Sequence, residues 1–107
     1  MHLRTALQHD PHNAQTHCNL AILLVQGGEL GAARAHYEAA LRCDAHHETA
    51  LTHLGALHVR EGRAQEAVPL LTRALALNPQ NADARRALEA AQAQHGAQGG
   101  TPASPAP

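Results

Sequence analysis

The stretch ETALTHLGALHVREGRAQEAVPLLTRALALNP, residues 48–79, decides the fold. It reads as two short amphipathic helices, about Glu48 to Arg60 and about Ala64 to Leu77. Gly62 makes the turn between them, and Asn78-Pro79 is the stop, because a residue preceding proline is steered away from helical backbone. Pro69 lies a turn or so into the second helix, where its missing N–H should bend the backbone locally. That costs up to ~3 kcal/mol in a helix interior and less near an N-terminus.

Sliding the chain against itself finds a copy. Pro79 follows Asn78 as Ala45 follows Asp44, and 79 − 45 = 34; Pro11 follows Asp10, and 45 − 11 = 34. At the same offset Leu20 maps to Leu54, Gly28 to Gly62, Ala33 to Ala67 and Ala40 to Ala74. A fixed period of this size marks an array of helical hairpins that bury their apolar faces only by stacking.

Reading outward, Asn13 or its neighbour caps a helix over about Ala14 to Gln26, since Asn is among the best N-cap residues. Leu20, Ala21 and Leu24 form its inner face, and one of Gly27 and Gly28 takes positive φ. A partner helix follows over about Leu30 to Arg42, with Ala33, Tyr37, Ala40 and Leu41 inward. Before this, Met1 to His9 shows Leu3, Ala6 and Leu7 at helical spacing and matches only a second helix, so the chain is expected to start inside a unit. After the 48–79 stretch, about Asp83 to Gln94 gives a last helix with Ala84, Ala87, Leu88 and Ala91 inward and Arg85, Arg86, Glu89, Gln92 and Gln94 outward. The tail from Gly96 to Pro107 has no large apolar residue and should be disordered.

These residues resemble the tetratricopeptide repeat family. Leu54-Gly55 is similar to its Leu-Gly pair on the first helix; Ala67, Leu71 and Ala74 match its Ala, large apolar and Ala positions on the second; Pro79 matches its closing Pro. The first copy holds Leu20-Ala21, Ala33, Tyr37 and Ala40 there, with Ala45 for the Pro. The family's large aromatics on the first helix are replaced by His17 and Leu24, then by Leu51 and His58.

The resemblance implies an all-α, right-handed α-solenoid of antiparallel helix pairs. The expected domain is 1–95, divided into a half repeat (1–12), repeats at 14–47 and 48–81 and a capping helix (82–95), with the tail at 96–107. It also implies a concave wall of first helices that binds an extended peptide or a partner helix. Carried over position by position, that wall holds Gln15, Cys18, Asn19, Ile22 and Gln26, then Thr49, Thr52, His53, Ala56 and Arg60, then Arg86. Asn19 resembles the Asn that holds a ligand's backbone in some members, since an amide donates and accepts at once. The next unit has His53 there. The family's chaperone-tail clamp needs Lys, and this chain has none.

Composition narrows the classes. Of 107 residues, 44% are hydrophobic but 1% aromatic, so the core is Ala, Leu and Val. Net charge is −1 with both signs interspersed, unlike the basic stripe of a nucleic-acid binder. No apolar run approaches the ~20 residues of a membrane span, and the N-terminus lacks a secretory core. A cytoplasmic, reduced setting is expected, and the Ala/Arg/Gly bias suggests a bacterial source.

Ten histidines invite a metal reading, but no pair has the i, i+4 spacing of a helical zinc site. No metal or other cofactor is expected, and His17 and His58 are read as half-buried rings packed in place of aromatics. Cys18 and Cys43 are read as unlinked thiols. No phosphate loop, carboxylate pair or nucleophile motif appears, so the chain is read as non-catalytic, a scaffold binding a protein or peptide. Two other readings stand beside it: the substrate-recognition arm of a larger glycosyl- or sulfo-transferase, and a self-assembling fragment forming a weak homo-oligomer through an exposed N-terminal helix.

Overall fold

Three helix starts share one chemical device. Residues 13, 47 and 81 stand 34 apart (47 − 13 = 34; 81 − 47 = 34) and each accepts a backbone N–H three residues on. Asn13 Oδ1 accepts from Thr16 at 2.9 Å, His47 Nδ1 from Ala50 at 3.2 Å and Asn81 Oδ1 from Ala84 at 2.9 Å. Each satisfies one of the N–H groups that a helix leaves unpaired at its start. In the computed structural model, which describes residues 13–95, these caps open α1 (Ala14–Gln26), α3 (Glu48–Arg60) and α5 (Ala82–His95). Between them lie α2 (Leu30–Cys43) and α4 (Ala64–Leu77). The described residues contain five helices and no strand, as the all-α reading expects. The leading half repeat and the tail lie outside the described residues.

The turns repeat as well. Gly28 (φ 82°) and Gly62 (φ 76°) take the left-handed conformation that glycine adopts without a Cβ penalty. Around them, Gly28 N–H donates to Val25 and Glu29 N–H to Leu24, while Gly62 N–H donates to Val59 and Arg63 N–H to His58. This paired pattern satisfies the last carbonyls of α1 and α3 and reverses the chain. At the far ends, Asp44 Oδ1 accepts from His46 N–H and Asn78 Oδ1 from Gln80 N–H, each at 3.0 Å. These side-chain turns lead into the next cap. α4 runs on through Pro69, which is exposed and, lacking an N–H, forfeits one ladder bond.

The chain divides into two units, one up to Leu51 and one from Thr52 onward. In the first, α1 packs on α2 through Cys18, Ala21, Ala33, Tyr37 and Ala40, all buried. Burial pushes the Tyr37 phenol up to about 12, with the neighbouring Cys18 adding to the effect. His17 and His36 meet across the same pair, Nδ1 to Nδ1 at 3.2 Å with ring centroids 5.4 Å apart. The sequence separates them by a whole helix and gave no hint of the contact. One Nδ1 must carry the proton and the other must lack it.

In the second unit the core is Leu54 and Leu57 of α3, Ala64, Ala67, Leu71 and Ala74 of α4, and Ala84 and Ala91 of α5. Gly55 lets α3 and α4 approach: a Cβ there would sit 2.5 Å from Leu71 Cγ and 2.6 Å from its Cδ2. Leu71 is fully buried and has nowhere to swing. His58 is also buried, further in than the half-buried ring expected for it. Gln94, expected to face water, instead donates from Nε2 to the Val59 carbonyl at 2.8 Å and ties α5 to α3.

Two outcomes follow. Gly55→Ala gains about 1 kcal/mol of helix propensity but overpacks against Leu71 by about 1–3 kcal/mol, so denaturant titration should show net destabilisation. Gly31→Ala, on α2 with open space around the added methyl, should be neutral or stabilising by up to about 1 kcal/mol. The second outcome concerns pH. Burial, and secondarily the His17 charge, hold the His36 imidazole below its ordinary value of 6.5. The unfolded chain therefore binds the proton more readily, and stability is full above that ordinary value and falls as pH drops through it. Thermal melts from about pH 8 to about pH 5 should show this decline, and His36→Gln should make it shallower.

Candidate functional site

On α1, the residues at i, i+4, i+7 and i+11 share one stripe. They are Gln15, Asn19, Ile22 and Gln26; Ile22 is half-buried and the three amide-bearing residues are exposed. Leu23 stands beside them, 54% exposed, an unusually open large apolar side chain for this small core. Cys18 does not join the stripe. It is 0% exposed and packs between α1 and α2, so it cannot line a ligand wall. Burial also pushes its thiol up, which leaves it a poor nucleophile. Neither Cys18 nor Cys43 forms a disulfide.

α3 carries exposed Thr49 within the first unit. In the second unit, Ala56 and Arg60 are exposed and His53 is half-buried. Burial lowers the His53 imidazole, and the Asp83 charge partly offsets this. Thr52 is the second correction to the expected wall: it is 5% exposed, and its Oγ1 accepts from Asn81 Nδ2 at 2.9 Å. Cys18 and Thr52 occupy the same repeat position (52 − 18 = 34), so both misplacements are one register error. Arg86 on α5 is exposed, but its guanidinium donates to Asp83 Oδ1 one turn earlier, which meets its charge locally.

A hydrogen-bonded relay lies on the α1 stripe. His47 Nε2 meets Gln15 Oε1 at 3.1 Å, and Gln15 Nε2 donates to Asn19 Oδ1 at 2.8 Å. His47 was absent from the sequence-derived wall. Its place in the cap series Asn13, His47, Asn81 was the signal that could have found it. In both later copies the cap reaches back to the preceding first helix: His47 to Gln15, Asn81 to Thr52.

Among the described residues no three His, Cys, Asp or Glu side chains gather as a metal set requires, and no helix is long and apolar enough to cross a membrane. What the stripe offers is amide hydrogen bonding beside an open leucine.

Comparison with known families agrees with the repeat family that the sequence resembles. A family model described as tetratricopeptide repeat matches residues 2–48 and again residues 18–82. The two matches overlap and together span 82 − 2 + 1 = 81 of the 107 residues. No curated protein matches the chain. With helix pairs, turns and caps all recurring at that period, the chain belongs to the tetratricopeptide repeat family.

Proposed function

We propose that this chain is a recognition module that takes extended peptide segments on the exposed faces of its first helices, each unit by itself. Tetratricopeptide repeats generally mediate protein–protein interaction, and the family is typically non-catalytic. The single observation that carries the finer reading is the sorting of side chains on α1. Gln15, Asn19 and Gln26 present amides to water on the face where Leu23 is left open. Amides pair with a peptide backbone in either sense, and an exposed leucine supplies the apolar anchor that small interfaces need. In the second unit, Arg60, exposed at the end of α3, favours acidic segments, whereas Arg86 contributes little because Asp83 meets its charge. A surface this short belongs among weak encounters, which bury less than ~1,200 Å².

The test is selection of random peptides against the full chain, followed by affinity measurement. Enriched peptides should carry a large apolar residue and an excess of Asp and Glu. Leu23→Ser should weaken them by about tenfold without lowering the melting temperature, and Arg60→Glu should abolish the acidic preference. Selected peptides that bind no better than their scrambled versions would contradict the proposal.

A further inference from the structure

The relay across the start of α3 has a direction, and one backbone group sets it. The Ala50 N–H can only donate, and it donates to His47 Nδ1 at 3.2 Å. His47 Nδ1 is therefore bare, and the proton of the neutral ring sits on Nε2. Nε2–H then requires an acceptor, which Gln15 supplies with Oε1 at 3.1 Å. That fixes the Gln15 amide with its nitrogen outward, donating to Asn19 Oδ1 at 2.8 Å. Asn19 Oδ1 is thereby turned toward Gln15 with one of its two lone pairs used, and the other end of the amide is Nδ2, a donor of two hydrogens. A surface asparagine is ordinarily free to flip and read either donors or acceptors; this one is held in one sense by a helix cap.

We infer that His47 is a positioning residue which, through Gln15, commits Asn19 to donate, so that the α1 face selects a hydrogen-bond acceptor, the main-chain carbonyl of an extended peptide. The inference rests on the peptide-binding proposal above and adds the polarity of the contact and the residue that sets it. The cap couples the two roles: the Nδ1 bond that starts α3 is the bond that orients the recognition amide. In the third copy the capping side chain is used differently. Asn81 accepts from Ala84 and donates to Thr52, which is buried, so that bond points into the protein.

The variant that separates the roles is His47→Asn. Asn caps well and stands at the equivalent positions 13 and 81, but is too short to stand in for Nε2 of the imidazole. Three full-length proteins, wild type, His47→Asn and Asn19→Asp, are compared by nitrogen-15 NMR and by affinity for peptides selected on the wild type. In the wild type the His47 ring should show a single Nε2–H tautomer and the Gln15 side-chain amide should be ordered. In His47→Asn the Gln15 amide should become mobile, with the melting temperature held and peptide affinity lowered about fivefold, the worth of one oriented hydrogen bond. Asn19→Asp, which replaces the donor by an acceptor of the same shape, should lose about tenfold or more. An Nδ1–H tautomer in the wild type, or peptides that bind wild type and His47→Asn equally well, would overturn this inference alone. Failure to enrich any peptide would overturn the peptide-binding reading and this inference with it.

Discussion

Close approach of helices through small side chains is the constraint on which this structure depends. With one aromatic residue in the chain, the core cannot be filled by a few large rings. It is filled by alanine at Ala21, Ala33, Ala40, Ala50, Ala67, Ala74, Ala84 and Ala91, all without exposure, and by the absence of a side chain at Gly55. Each alanine removes little apolar surface from water, so stabilisation must come from short distance and dense contact. Leu71 Cγ sits 2.5 Å from where a Gly55 Cβ would be, which shows how little slack the arrangement has. The turns serve the same end. Gly28 and Gly62 reverse the chain in three residues, so that partner helices start already side by side.

The caps extend this logic from folding to recognition. A helix start needs an acceptor for its first N–H groups, and the repeat places one every 34 residues. Asn serves twice; at position 47 the acceptor is an imidazole, whose Nε2 reaches Gln15 on α1. The side chain that solves a local backbone problem thereby fixes the orientation of an exposed amide two bonds away. Architecture and surface chemistry are joined at one residue.

Most of the fold was legible in the sequence, because period, helix ends and glycine turns are local signals. The expected bounds of α1, α3 and α4 coincide with the observed ones, and α2 ends one residue later than expected, at Cys43. The site was less legible. Cys18 and Thr52 were placed on the wall by transfer of positions, yet that register turns inward in both copies; a small thiol and a hydroxyl with a partner are both content there. His17 with His36, and Gln94 with the Val59 carbonyl, meet only after the hairpins close. His47 was passed over because a histidine is not an expected cap, and Leu23 because an apolar run does not say which of its members stays wet.

Amide hydrogen exchange on the full chain tests the central claim most directly. If nested small residues hold the hairpins, the slowest-exchanging amides of α1 and α3 should include those of Ala21 and Gly55, which stand 55 − 21 = 34 residues apart. Those of α2 and α4 should include Ala40 and Ala74, again 74 − 40 = 34 apart. Protection that ignores this spacing, or that is greatest at the exposed faces of the helices, would contradict the account.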